Sequence, residues 1–297
     1  MNPKLKNALK RNAVGYLFLS PWLLGLIGLS ALPILASLYF SFTRYDMLTA
    51  PDWIGLENYR AMFGDQKWRN SMKVTLIYVF LGVPLQLIFA LSVAMMLNRG
   101  IRGLRIYRAI YYVPSLFGGS VAVALLWRQL FGGEGLVNLL LRQIGLPGYN
   151  WIASPDTALY TLIVLKVWQF GAPMVIFLAA LKQVPAELYE ASRIDGAGRW
   201  KQFWRITLPL ITPIVFFNVV MQTIQAFQAF TPAYIVSRGT GGPLDSTLFY
   251  TLYLYQKGFT HFQMGYAASM AWLLLLVIAF VTAMLFLSAR KWVYYQE

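Results

Sequence analysis

"ELYEASRIDGAGRWKQFWRITLPL", Glu187 to Leu210, interrupts a chain that otherwise avoids charge. Acids and bases crowd around a glycine between two long apolar runs. From Pro185 the stretch predicts two short helices. The first, "PAELYEASRI", opens with proline at a helix N-terminus and places acids in its first turn, where the helix dipole favours them. Glu187 and Glu190 are three residues apart and share a face. "DGAG" ends this helix, and "RWKQFWRITLPL" resumes it with Trp200, Phe203, Trp204 and Leu208 at helical spacing. Pro209 then marks entry into the next apolar run. An amphipathic helix of this kind either lies on lipid or plugs into another protein. Acids in the first turn argue against lipid, because anionic headgroups repel them, and a compact helix with a sharp glycine turn is the better shape for a plug.

The surroundings of this insert are those of an integral membrane protein. Of 297 residues 58% are hydrophobic and only 12% are charged, about half the charged share of a soluble domain. Six runs reach the ~20 apolar residues a spanning helix needs: roughly 14–42, 72–97, 107–131, 157–181, 211–236 and 265–289. They are continuous and do not alternate with period two, which favours helices over a barrel. The basic head before residue 14 resembles a signal peptide, but the run behind it is far longer than a signal h-region, so it is read as a retained first span. The expected fold is all-α, with six transmembrane helices and the charged helix between spans four and five.

Lys4, Lys6, Lys10, Arg11; Arg99, Arg102, Arg105, Arg108; Lys182, Arg193, Arg199, Lys201, Arg205; and Arg290, Lys291 are 15 of the 25 bases. All fall on one side if the N-terminus is inside, and the opposite loops mix signs. The positive-inside rule therefore puts both termini and the charged insert in the cytoplasm. Outside, "PDWIGLENYRAMFGD" and "GLVNLLLRQIGLPGYNWIASPDT" predict short helices, and "SRGTGGPLDST" (Ser237 to Thr247) a turn-rich loop.

The insert carries the signature of ABC-importer permeases: Glu-Ala-Ala, three residues, Gly, nine residues, Ile-x-Leu-Pro. Here Glu190, Ala191 and Ser192 are followed by Gly196, then Ile206, Leu208 and Pro209, with Ser192 in place of the second alanine. The stretches "GYLFLSPWLLGLIGLSALPILASLYFSFTRYD", "WIGLENYRAMF", "IDGAGRWKQFWRITLPLI", "GTGGPLDSTLFYTLYLYQKGF" and "RKWVYY" resemble the MalF-like permease subunit of carbohydrate importers. The resemblance implies a cytoplasmic tail (1–13), a first span with its external loop (14–70), a transmembrane core (71–289) and a second tail (290–297), in a bacterial inner membrane. It also implies a sister permease, two ATPase subunits and an external solute-binding protein as partners. ATP and Mg act in those ATPase subunits, with no cofactor bound by this chain, which has no G-x-x-x-x-G-K-[ST] loop. By the same resemblance the helix with Glu187 and Glu190 docks in an ATPase cleft. Glu190 meets a cationic group there, and the turn at Asp195–Gly196 closes the helix.

Polar residues inside spans usually face a bundle interior. Asn218, Gln222 and Gln225 recur on one face of span five, with Gln228 at its edge and Phe227 and Phe230 nearby. Amides with an aromatic plate suit a sugar, although amides also tie helices together. In span four, Trp168 and Gln169 are further pathway residues, and Gly171 and Pro173 loosen the helix. Lys166 lies near mid-membrane, where a base costs at least ~2.5 kcal/mol on insertion scales. It either snorkels or bonds internally, or it offers a cation to an acidic solute such as a uronate oligosaccharide. Arg128 is expected as an interfacial anchor.

The function expected is import of a carbohydrate, an oligosaccharide either neutral or acidic. An ion-coupled secondary carrier is the alternative, but it calls for intramembrane acids or histidine, and the predicted spans hold no acid. A membrane enzyme ranks last: there is no cysteine, and the chain has only His261 as a histidine. No soluble basic face suggests nucleic acid as a partner.

Overall fold

The computed structural model describes residues 3–98 and 103–294, with side chains described at 13 and from 15 onward within those ranges. Arg99 and Arg102, the side chains of Lys4, Lys6, Lys10 and Arg11, and residues 295–297 of the expected C-terminal tail lie outside the described residues. The chain divides into two compact units, Met1–Gly64 with Lys257–Leu274, and Asp65–Gln256 with Leu275–Glu297.

In the first unit, α1 (Pro3–Gly25) passes through a π-helical turn, Leu26–Ala31, into α2 (Leu32–Ser41). Pro33 explains the turn. It has no N–H and its ring crowds the carbonyl four residues back, and a widened turn relieves both. A two-stranded antiparallel hairpin follows, β1 (Thr43–Arg44) against β2 (Asp52–Trp53). The all-helical expectation missed it because two-residue strands are too short to show alternation. The expected short helix is α3 (Glu57–Gly64). Buried Asn58 fixes it by donating to the Ser41 and Thr43 carbonyls at 3.0 and 2.9 Å. The last helix begins here too: Gly265 N donates to the Tyr45 carbonyl at 3.1 Å, and a Cβ on Gly265 would lie 2.0 Å from the Thr43 carbonyl oxygen.

The second unit is built on α4 (Gln66–Leu97). Asp65 caps it, accepting from the N–H groups of Lys67 and Trp68 at 2.9 and 3.3 Å, and also accepts from the Tyr253 hydroxyl at 2.5 Å. Burial, then this bond to Asp65, pushes the Tyr253 phenol up from its ordinary range. Buried residues of α4 recur at helical spacing (Thr75, Tyr78, Val79, Gly82, Val83, Gln86, Leu87, Ala90), and its neighbours are α8 (Ala158–Trp168), α9 (Gly171–Gln183), α12 (Leu208–Phe227) and α14 (Tyr250–Tyr255).

Among the described residues, four helices are long and apolar enough to cross a membrane: Gly15–Ser41, Gln66–Leu97, Arg199–Phe227 and Met264–Trp292. Two bent pairs bring the number to six if each counts as one span. The bend in the fourth falls beside Gly171 and Pro173, which were expected to loosen that helix, whereas the sharp break in the third was not expected from its single apolar run. The third is α5 (Leu104–Phe117) and α6 (Val121–Leu130), which meet at 98°. Gly118 and Gly119 end the first half, and Ser120 caps the second by accepting from Val123 N–H at 3.3 Å. The fourth is α8 and α9, bent by 41° at Gln169–Phe170. The fifth also departs from its expected bounds. It ends at Phe227, and its expected tail forms a separate helix, α13 (Thr231–Val236), with Pro232 in its first turn. Arg128 is not a free anchor: its Nη1 donates to the Ile235 carbonyl, at 3.4 Å. On the expected outer face, α7 (Leu136–Gln143) is held by buried Asn138. Its amide donates to the carbonyls of Gly132, Gly133 and Tyr149 and accepts from Tyr149 N–H and Trp151 Nε1.

Candidate functional site

Two places in the second unit gather the residues singled out in the sequence. The first is a cavity of about 390 Å³. Its wall includes Lys166 and Gln169 from span four, Gln222, Gln225 and Gln228 from span five, and Phe230 beyond it. Asn218 is not on this wall: it is 1% exposed and its Nδ2 donates back to the Ile214 carbonyl at 3.1 Å. Trp168 is also absent, its ring 6.0 Å from that of Trp127. Phe227 is fully buried in the core. Tyr78, Gln86 and Ser115 join the wall, and sequence reasoning passed over them. Gln86 is a lone amide in an apolar span, as conspicuous as Gln222, and that was the available signal.

Gln169 takes part mainly through bonds to protein. Its backbone carbonyl, freed at the bend, accepts from Gln86 Nε2 and from Ser115 Oγ, both at 3.0 Å. Its side-chain Nε2 donates to the Gly118 carbonyl at 2.8 Å, and Ser115 Oγ accepts from Ala172 N–H at 2.8 Å. The breaks of spans three and four are thus tied to each other and to α4. The fit is tight on both sides. A Cβ on Gly118 would lie 2.3 Å from Gln169 Cδ, and one on Gly171 would lie 2.2 Å from the Tyr111 carbonyl oxygen.

Other polar groups on this wall are unspent. Gln86 Oε1 is buried without a partner. Among the described residues, Lys166 Nζ has no hydrogen-bond or ion-pair partner, and it stands 5.9 Å from the centroid of the Tyr78 ring. Lys166 is 6% exposed, so it does not snorkel. A second cavity of similar size is walled by Val79, Leu87, Phe177, Val215, Val281 and neighbouring apolar residues, and offers almost nothing to read a polar solute.

The second place is the charged insert. The helix α10 (Ala186–Ile194) buries no residue. Glu187, Glu190 and Ala191 are exposed and Ser192 half-buried. Gly196 N–H donates to the Arg193 carbonyl and Ala197 N–H to the Ser192 carbonyl, at 3.0 and 2.8 Å, which is the Schellman way of ending a helix. It needs a left-handed residue just past Asp195, and Gly196 has φ +74° with open space around it. The hydroxyl of Ser192 is used: it accepts from Gln202 Nε2 at 2.8 Å and donates to the Tyr189 carbonyl at 2.9 Å. Tyr189 and Thr207 hydroxyls are 2.8 Å apart. These bonds brace α10 against the following helix. That helix is not the separate short element expected. α11 (Arg199–Gln202) continues through a π turn, Phe203–Thr207, into α12, so the insert flows into span five. Ile206 lies in that turn, and the turn precedes Leu208 and Pro209 just as the earlier one precedes Pro33. Ile194 is 88% exposed and Trp200 74%, an apolar fringe around the acids.

A family model described as "Binding-protein-dependent transport system inner membrane component" matches residues 61–294. The chain belongs to this family. It is an inner-membrane permease of the ABC type that the loops resemble. The "Probable ABC transporter permease protein YesP" of Bacillus subtilis (strain 168) is 52% identical over 296 residues, covering 99% of this chain and 96% of that protein. The "Lactose transport system permease protein LacF" of Rhizobium radiobacter is 31% identical, covering 96% and 98%. Among solved structures, a chain of a bacterial ABC transporter involved in the import of the acidic polysaccharide alginate superposes with TM-score 0.79 at 21% identity, covering 97% of this chain and 99% of that one. At that identity the likeness concerns the fold.

Proposed function

We propose that this permease carries an oligosaccharide inward through the cavity between spans two, four and five, as one half of a permease pair driven by two separate ATPase subunits and fed by an external binding protein. Both termini and α10 face the cytoplasm in this reading. The observation that carries it is the gathering of Gln86, Gln222, Gln225 and Gln228 with Phe230 around one cavity. Amides offer donors and acceptors to sugar hydroxyls, and an aromatic ring offers a face to sugar C–H groups. The named substrates of relatives, lactose among them, agree with a sugar as cargo.

α10 is the part that meets an ATPase subunit. It is exposed, acidic on one face and braced from behind by the Gln202–Ser192 and Tyr189–Thr207 bonds, so a push on it passes through those bonds into the continuous helix of span five. ATP and Mg act in the ATPase subunits, and this chain contributes docking and motion.

The test is uptake by the reconstituted importer with Gln222→Ala and Gln225→Ala. Pathway amides bond the solute only in passage, so both variants should assemble in normal yield and transport several-fold more slowly. Amides that tie helices would instead lower the stability of the solubilised complex, by roughly 0.6 kcal/mol each. Normal specific transport in weakened complexes would refute the pathway.

A further inference from the structure

We infer that Lys166 and Gln86 form a subsite for an acidic sugar in this cavity, the ammonium taking a carboxylate and the amide oxygen a hydroxyl, so that the importer selects sugars bearing an acid group. The inference rests on the cavity being the solute path. Lys166 is a base in the fourth apolar segment, buried, with no ion-pair or hydrogen-bond partner among the described residues. A buried charge without a partner is a standing cost, and a transient carboxylate partner removes it during passage. The aromatic ring of Tyr78, 5.9 Å away, helps the ammonium only modestly.

The protein makes room for this side chain. Gly82 of α4 faces it, and a Cβ there would lie 3.1 Å from Lys166 Cδ. One helical turn on from Gly82 stands Gln86. Its Nε2 is committed to the Gln169 carbonyl, which leaves Oε1 buried and unpartnered. The unmet groups are therefore one cation and one acceptor. A uronic sugar supplies the complement, a carboxylate for the ammonium and a hydroxyl for the amide oxygen. Among the described residues of this wall Lys166 is the one base, and there is no acid. A single positive charge matches a monoanionic carboxylate, whereas a phosphorylated sugar at neutral pH calls for more than one.

The probes are trigalacturonate and its fully methyl-esterified form, which share a skeleton and differ in charge. They are offered to the complete importer in proteoliposomes with its binding protein, as wild type, Lys166→Gln and Gln222→Ala. The wild type should carry the acid at least ~10-fold faster than the ester. Lys166→Gln should lower uptake of the acid ~10-fold while changing the ester less than two-fold. Because it removes an unpaired buried charge, it should also leave the melting temperature of the solubilised complex unchanged or higher. A wild type that carries the acid no better than the ester overturns the inference. So does a Lys166→Gln variant that slows both probes equally, or one that melts markedly lower, since the lysine would then be a structural partner. If Gln222→Ala slows both probes and Lys166→Gln neither, the pathway stands and the acid selectivity falls. If neither variant slows either probe, the pathway itself is wrong.

Discussion

Gly171 begins α9 directly beneath α5, where a Cβ would lie 2.2 Å from the Tyr111 carbonyl oxygen and 2.8 Å from Tyr112 Cα. Both neighbours are backbone and cannot swing aside. Gly171→Ala should therefore push α5 from α9 and destabilise the protein by about 1–3 kcal/mol, the usual range for overpacking. Gly119→Ala, which meets nothing within 4 Å, is the matched control and should melt like wild type. Thermal denaturation of the solubilised chain separates the two, and equal melting temperatures would deny the close approach. At this scale the sequence was partly legible. Gln222 and Gln225 announced themselves by spacing, because a helix face is a local property. Gln169 does line the cavity, but its amide nitrogen donates to Gly118, 51 residues away. Nothing local marks such a partner. Asn218 shared the stripe in projection but sits one turn too far along, bonded to its own helix.

The helix α10 illustrates what one element can reveal about itself. Proline, early acids and a glycine at the required place described α10 and its end correctly, since capping depends only on neighbours in sequence. Gly196 has open space around it and is constrained by backbone conformation alone. Asparagine, which tolerates the left-handed region, should therefore preserve much of the function, whereas valine should not. Gly196→Val, and separately Glu190→Lys, should reduce transport-coupled ATPase activity of the assembled importer at least ~10-fold or prevent its assembly, and Gly196→Asn should stay within a few-fold of wild type. Full coupling in both Gly196→Val and Glu190→Lys would exclude α10 from the ATPase contact. The breaks in spans three and four were less legible. Glycine or proline in an apolar run is compatible with a gentle kink or a 98° corner, and the choice is made by partners on other helices, here Gln86, Ser115 and Gln169.

For the molecule as a whole, the distribution of bases predicts sidedness. A reporter fused at Gly196 should read cytoplasmic and one at Gly241 external; both on the same side, or the reverse, would break the six-span scheme. That several helices are long and apolar enough to cross a membrane was readable because the bilayer imposes a length on every span, while the hairpin after the first span was not, being fixed by two residue pairs. The tie between the two broken spans also bears on how the chain is made. A ribosome delivers span three first, and the carbonyl of Gly118 then waits for the donor on Gln169, 51 residues behind it. At ~5–20 residues per second that interval is about 3–10 s. During it the corner of span three holds a polar group whose final donor has not yet been synthesised, in a medium with no water to spare. Spans three and four are therefore expected to leave the insertion machinery as a pair, with this corner sheltered until its donor arrives.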